Sequence, residues 1–147
     1  MTRDDLLRFM RLEKFAVQSS VSPTGVPQAA VVGIAVSEDL EIVFDTLRDS
    51  RKATNLRDNP AIAFAIGGTH DDTTRTVQYE GIADTPSGDE LRRVREVYFD
   101  VFPDGRERLS WPGIIHVRVK PTWIRYSNYG TTPPLILEFD TQALREL

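Results

Sequence analysis

The stretch that decides the fold is residues 41–60, EIVFDTLRDSRKATNLRDNP, which indicates a strand, a short polar loop and a helix. Residues 42–44 are the β-branched and aromatic types that favour a strand, and Asp45 and Thr46 stand at its end. Ser50 is placed to cap a helix over about 51–58, which Asn59-Pro60 ends. The sequence therefore predicts a strand–loop–helix unit.

Two basic residues, Arg51 and Lys52, fall in the first turn of this helix. That end carries partial positive charge and free N–H groups, so cations are unfavourable there unless an anion lies among them. Arg51 offers a bidentate fork, Lys52 a point charge, and Thr46 and Ser50 offer hydroxyls, a set that suits a phosphate monoester. The alternative, which the residues alone leave open, is two solvated charges on an exposed helix.

Composition is typical of a globular protein and excludes several kinds of site. The 147 residues, 40% hydrophobic and 27% charged, predict one domain over 1–147. The absence of cysteine excludes disulfides, thiolate catalysis and cysteine-ligated metals. The two histidines are too few for a histidine-rich metal site, so we expect no metal. A net charge of −4 without a long basic stripe argues against nucleic acid as a partner.

The N-terminal residues MTRDDLLRFM include acidic side chains and no long apolar run, so we expect no secretory signal. Nothing approaches the roughly 20 apolar residues of a membrane span. We therefore expect a cytoplasmic protein that does not bind a membrane.

Periodicity along the chain predicts short strands and few helices. Helices are predicted over 2–12, over 51–58, from a Ser87–Glu90 capping box to about residue 102, and as a last turn in 141–147. Residues 104–112 are predicted as a loop that exposes Trp111. Strands are predicted over 14–20, 27–36, 41–46, 61–66, 75–83, 114–119 continued after Pro121 by 123–126, and at an edge over 134–139. Six or seven strands without βαβ alternation favour a mostly antiparallel barrel.

The opening stretch resembles the pyridoxamine 5′-phosphate oxidase-like family of flavin-binding split β-barrels. In that family a strand ending in an aromatic or polar residue plus Thr is followed by Ser-Arg-Lys, a short helix and Asn-Pro; here these are Asp45-Thr46, Ser50-Arg51-Lys52 and Asn59-Pro60. The resemblance implies a mainly β fold with short helices, a six- to seven-stranded antiparallel split β-barrel of the FMN-binding type. It also implies that Arg51 and Lys52 hold the FMN phosphate, in a homodimer whose two subunits both contact the flavin.

The resemblance further implies cofactor contacts on the strand before this unit. Alignment without gaps places Ala30, Val31, Val32 and Gly33 along the flavin, with Ala35 two residues on. The oxidase carries Arg where Ala30 stands and a substrate-phosphate Lys where Ala35 stands, so oxidation of pyridoxamine phosphate itself is doubtful here. The alternative is that these are core strand residues.

Two further family positions differ in this chain. Thr76 stands where the oxidase has a flavin-contacting Gln; Gln78 points the same way if the strand is regular. Ser127 stands where the oxidase has Trp. Part of the role of that Trp could pass to Trp123, Arg125 and Tyr126, although we expect Trp123 in the core.

Other polar clusters have ordinary structural interpretations. His70-Asp71-Asp72 is interpreted as a hydrophilic hairpin loop and not as a metal or acid–base site. His116 is interpreted as a structural or exposed strand residue. The arginines near the start of the 87–102 helix are interpreted as a solvated face, with Arg95 and Tyr98 kept as substrate-contact candidates.

The resulting hypothesis is an FMN-dependent oxidoreductase that transfers hydride to or from an unidentified small molecule, with no catalytic side chain assigned. Four alternatives stay open. Relatives of this fold use a deazaflavin at a similar phosphate site, and another branch binds haem, for which His70 and His116 are the only histidine ligands available. The protein could also store or sense flavin without catalysis, or be a structural dimer.

Overall fold

A computed structural model describes residues 1–69 and 72–147, so His70 and Asp71 of the predicted hairpin loop lie outside it. The helices are α1 (Arg3–Leu12), α2 (Arg51–Asp58), α3 (Gly88–Val101), a 3-10 helix (Pro103–Ser110) and α4 (Thr141–Glu146). The strands are β1 (Phe15–Val21), β2 (Pro27–Gly33), β3 (Ala35–Val36), β4 (Ile42–Leu47), β5 (Ala61–Gly67), β6 (Arg75–Asp84), β7 (Ile114–Asn128) and β8 (Leu135–Asp140).

These strands form one eight-stranded antiparallel sheet in the order β2-β1-β5-β6-β7-β4-β3, with β8 added beside β7. Only Ile34 separates β2 from β3, so the chain joins the two ends of the sheet and closes it as a barrel. The predicted fold class, a mainly antiparallel split barrel with short helices, is confirmed. The strand count exceeds the prediction because the run 27–36 breaks at Ile34, whose N–H donates to the Lys14 carbonyl at 2.8 Å.

The long strand β7 is where the barrel splits. One edge pairs with β6, while the other pairs with β4 over residues 114–119 and with β8 over 123–128. Between these halves the register with β6 shifts: Glu80 lies opposite Trp123 and Gly81 opposite Pro121, which leaves Thr122 as an extra residue. The sequence predicted that Pro121 interrupts the strand, and instead it is accommodated at a β-bulge.

The main core fills the barrel, and α1 closes one side of it with four buried side chains: Leu6, Leu7, Phe9 and Met10. Tyr79 is fully buried at the centre, and its single O–H lies within donating distance of two carbonyl oxygens, that of Val119 at 2.9 Å and that of Leu40 at 3.1 Å. A smaller core lies outside the barrel under α3. There Val94, Tyr98 and Phe99 pack on Ala35 and Val43.

Helix boundaries depend on local capping, which the sequence predicted in part. Thr2 caps α1, and Ser50 caps α2 as predicted. The predicted capping box at Ser87 is wrong, because the Ser87 side chain makes no cap hydrogen bond and Glu90 instead binds arginines. The predicted 104–112 loop is mostly the 3-10 helix, although Trp111 is exposed as expected. None of the described helices is long and apolar enough to cross a membrane.

Candidate functional site: a cationic cleft beside the second helix

A cleft of about 210 Å³ lies between the first turn of α2 and the strand pair β1–β2. The register of that pair sets Gln18 opposite Ala30 and Ser20 opposite Gln28, so these side chains share one face of the sheet. The lining residues are Gln18, Ser20, Gln28, Ala29, Ala30, Arg51 and Lys52. The structure therefore brings the predicted cations Arg51 and Lys52 together with the predicted strand residue Ala30.

The positive charge of this cleft is not compensated by neighbouring side chains. Within the described part of the chain, neither Arg51 nor Lys52 appears in a salt bridge or a side-chain hydrogen bond. The first turn of α2 contains no acidic residue. Two cations and the positive end of a helix dipole thus face one small space, which favours an anion there.

The predicted hydroxyl donors, Thr46 and Ser50, lie beside this turn and bind each other. The Thr46 hydroxyl donates to Ser50 Oγ at 2.9 Å, and Ser50 Oγ accepts from the Ala53 N–H at 3.2 Å. Neither side chain lines the cleft. Their observed role is to fix the loop that presents Arg51 and Lys52.

A buried amide group connects α2 to the strands of the cleft. Asn55 Nδ2 donates to Ser20 Oγ and to Gln28 Oε1, both at 3.0 Å. Gln18 is 2% exposed, and its Oε1 has no hydrogen-bond partner among the described residues. A buried carbonyl oxygen without a partner is unfavourable, so this atom is suited to accept a hydrogen bond from a ligand.

Sequence reasoning did not identify Gln18 as a site residue. The signal was present, because Ala16, Gln18 and Ser20 alternate on one face of the predicted 14–20 strand and the first is apolar. A glutamine and a serine at positions that point inward indicate polar burial, and polar burial requires partners.

The remaining residues of the predicted flavin strand do not line the cleft. Val31 is 67% exposed on the opposite face of the sheet, and Val32 packs against the barrel core. Gly33 lies under Phe102; a Cβ at this glycine would come within 2.8 Å of the Phe102 ring. Ala35 is buried below α3.

Asp45 points to the opposite side of β4 from Thr46. Its carboxylate accepts from Arg108 Nε at 2.7 Å, and Arg108 Nη2 also donates to the Tyr98 hydroxyl at 3.0 Å. Burial, together with the negative charge of Asp45, raises the pKa of Tyr98 well above its ordinary value. The hydrogen bond to Asp45 likewise raises the pKa of Arg108. Asp45 therefore fastens the 3-10 helix and faces away from the cationic cleft.

His116 lies beside this group and has a structural environment. It is 2% exposed, with ring edges against Tyr98 and Phe99 at centroid distances of 5.5 Å. Arg95 Nε donates to His116 Nδ1 at 3.5 Å, and within the described chain Nε2 has no partner. Burial and, next, the charge of Arg95 lower the pKa of His116. Arg95 and Tyr98, the proposed substrate contacts, thus have partners within the fold.

Thr76 lies in a different groove, of about 470 Å³, on the outer face of the sheet. Burial alternates regularly along β6, so Gln78 points the same way as Thr76. Trp123, predicted in the core, is instead half-buried in this groove because the bulge in β7 places it beside Glu80 on the outer face. Ser127 is buried. The single chain therefore does not bring Thr76 to the Arg51–Lys52 cleft.

No group of three or more His, Asp or Glu side chains that could hold a metal ion occurs within residues 1–69 and 72–147.

Comparison with known proteins identifies a family. The sequence model described as Pyridoxamine 5′-phosphate oxidase matches residues 2–128. No curated protein matches the chain.

Solved structures show the same fold at low sequence identity. A heme binding protein from Mycobacterium smegmatis has a TM-score of 0.82 at 17% identity over 99% of this chain; the chain spans only 61% of that protein's length. A pyridoxamine 5′-phosphate oxidase-related, FMN binding protein from Nostoc punctiforme has a TM-score of 0.70 at 12% identity, over 93% of this chain and 87% of its own. HutZ, the heme storage protein from Vibrio cholerae, has a TM-score of 0.67 at 14% identity; the match covers 80% of this chain and 88% of that protein.

Proposed function

Because the chain belongs to the pyridoxamine 5′-phosphate oxidase family, we propose that it binds FMN with its phosphate at Arg51 and Lys52. With this cofactor it acts as an oxidoreductase on a small molecule. The observation that carries the proposal is the cleft lined by these two cations, which lie in the first turn of α2 and have no side-chain partners in the described chain. A phosphate monoester is the cofactor group that such a site would neutralise.

The other residues of the cleft also fit FMN. Gln18 supplies a buried oxygen that needs a donor, and the ribityl chain and ring of FMN carry hydroxyl and N–H donors. The small side chains of Ala29 and Ala30 leave space for a flat ligand along β2. When bound, FMN supplies the hydride chemistry, and the protein binds and orients it.

The described residues that line the cleft include no carboxylate and no histidine, and their charged members are Arg51 and Lys52. The side chains available there can hold a phosphate and accept hydrogen bonds, but they offer no general acid or base near neutral pH. The proposed role of this chain is therefore to position the cofactor and a second reactant.

We propose further that the protein works as a homodimer, with the outer face of the sheet as the shared surface. That face exposes Val17 and Val31, which lie opposite each other in β1 and β2, and continues into the groove that contains Thr76 and Trp123. A second subunit on this face would cover apolar surface and bring its own polar groups toward the flavin.

Pyridoxamine phosphate is disfavoured as the substrate. The oxidase position for a substrate-phosphate Lys is occupied by Ala35, which is 1% exposed and packed under α3. An apolar buried residue at this position cannot bind a phosphate.

The test is an absorbance spectrum of the purified protein followed by FMN titration. Flavin bands near stoichiometry are expected, and the double variant Arg51→Ala/Lys52→Ala should weaken affinity by at least about a hundredfold, since each of the two charge-assisted contacts contributes about 1.5–3 kcal/mol. Arg92→Ala/Lys120→Ala, which removes the same charges at exposed positions, is the matched control.

Two results would contradict the proposal: no FMN binding by the wild type, or equal binding by both double variants. In the first case, titrations with a deazaflavin and with haem identify the cofactor class. Haem binding would need a ligand other than His116, the one histidine in the described chain, because it is buried under α3. Steady-state flavin reduction by a nicotinamide nucleotide, with turnover, then separates an oxidoreductase from a flavin store.

A further inference from the structure

A second cavity, of about 230 Å³, lies at the mouth of the barrel on the other side of α2 from the cationic cleft. We call it the barrel-mouth cavity. Its floor is apolar and comes from α2, from the end of β6 and from the inward face of β7: Ala53, Leu56, Ala83, Ile115 and Val117. Barrel mouths with apolar floors are common sites for small ligands.

The rim of the barrel-mouth cavity is positively charged. Arg48 has no side-chain partner among the described residues, and Arg57 donates only to neutral oxygens, the Arg48 carbonyl at 2.8 Å and Thr54 Oγ1 at 3.1 Å. The carboxylate on the rim, Asp84, is already paired with Arg118 through contacts of 2.9 and 2.6 Å. Two arginines therefore border the apolar floor without an anionic partner in the described chain.

The backbone holds Arg48 in place beside the cavity. Its N–H donates to the Gly113 carbonyl at 2.7 Å, and its own carbonyl accepts from Arg57. Gly113 has a φ of +80°, a left-handed conformation that favours glycine, so this residue lets the chain turn beside Arg48. Hydrogen bonds to both its N–H and its carbonyl thus place the backbone of Arg48 at the rim of the cavity.

We propose that the barrel-mouth cavity binds a small monocarboxylate with an apolar body, the carboxylate on Arg48 and the body on the floor. A planar carboxylate matches a guanidinium fork, and the floor offers five apolar side chains but no further cation. The volume is large enough for a body of about the size of a benzene ring or a short alkyl chain. This inference does not depend on flavin binding, because the site uses neither Arg51 nor Lys52.

The test is titration of the isotope-labelled protein with sodium benzoate, followed by amide chemical shifts. We expect saturable shifts at residues of α2 and at Ile115, and binding about tenfold weaker in Arg48→Ala, the loss of one charge-assisted pair. Benzamide has the same shape without the charge, and should bind at least tenfold more weakly than benzoate. Arg145→Ala, an arginine outside both cavities, should bind benzoate like the wild type.

Arg48 is exposed, so Arg48→Ala should fold normally and keep the native amide spectrum. Arg48→Glu reverses the charge at the same position and should abolish benzoate binding. The proposal is overturned if neither benzoate nor hexanoate gives saturable shifts up to tens of millimolar. It is also overturned if the Arg48 variants bind benzoate normally, or if the shifts cluster at Lys52 and Gln18, which would mean that the carboxylate uses the cationic cleft.

Discussion

Arg118 Nη1 lies 2.6 Å from Glu90 Oε2, a contact that fastens α3 to the outside of the barrel. Arg118 belongs to β7 and is 7% exposed, while Glu90 lies in the first turn of α3. The same guanidinium binds Asp84, and Arg93 joins Glu90 to the buried carboxylate of Glu41 at 2.8 Å. The helix that covers Ala35 and His116 is thus held by a shared set of charges as well as by apolar packing.

Replacing Arg118 with Met should destabilise the fold by about 3 kcal/mol, because removal of one partner leaves the buried Glu41 carboxylate less compensated. Urea unfolding at neutral pH measures this loss. Arg92→Ala, which breaks an exposed pair within the same helix α3, should change stability by less than about 0.5 kcal/mol. Equal effects of the two variants would show that the Arg118 contacts contribute no more than surface pairs.

His116 should make stability depend on pH. Burial lowers its pKa below the ordinary 6.5, so the unfolded chain takes up the proton first as pH falls. The stability that neutral His116 contributes is therefore complete above about pH 6.5 and decreases as pH falls toward the lower folded-state pKa. His116→Phe keeps a ring between Tyr98 and Phe99 and should flatten the stability curve below about pH 6.5. Urea midpoints at several pH values test this; an unchanged slope would exclude His116 as the titrating group.

The barrel, and the presentation of Arg51 and Lys52 by the first turn of a capped helix, could be predicted from the sequence because both depend on local patterns. Ser50 caps α2 as expected, and the helix presents Arg51 and Lys52 to a cleft that also contains Ala30. The role of Asp45 was not predictable, since its partner Arg108 is 63 residues away in a segment expected to be a loop. Gln18 was not predicted because its neutral side chain does not stand out in a charge pattern, although its burial follows from strand alternation.

Gly81 should tolerate no side chain. A Cβ there would come within 2.5 Å of the Lys120 carbonyl and 2.6 Å of Val119 Cγ1, at the bulge where β6 and β7 change register. Gly81→Ala should destabilise by about 3 kcal/mol, because the obstacle is backbone in a central strand pair. Gly33→Ala meets only the Phe102 ring, which can move, and should cost clearly less. Urea unfolding of both variants tests the order, and a reversed order would contradict it.

The proposed dimer face predicts the effect of charge at Val31. Val31 is 67% exposed, so Val31→Glu should leave the fold stable while opposing association of two apolar faces. We expect light scattering after gel filtration to give a dimer mass for the wild type and a monomer mass for Val31→Glu. Leu12→Glu, an exposed leucine of α1 at 64%, should remain dimeric. A monomeric wild type would contradict the proposed dimer. A Val31→Glu variant that stays dimeric would show that the dimer contact lies on another surface.

Gln18 gives a prediction in which stability and binding change in opposite directions. In the protein without ligand, the buried Oε1 of Gln18 has no partner in the described chain, so Gln18→Met should raise stability by about 1 kcal/mol. If that oxygen accepts a hydrogen bond from FMN, the same variant should bind FMN about tenfold more weakly. Gln142→Met makes the same change at an exposed position of α4, away from the cleft and from the proposed dimer face, and serves as the control. Urea unfolding and FMN titration of the two variants measure the free energy of unfolding and the affinity for FMN.

A Gln18→Met variant that gains stability and binds FMN normally would show that Gln18 faces the cleft without contacting the cofactor. One that loses stability would show that the oxygen has a partner in the folded protein.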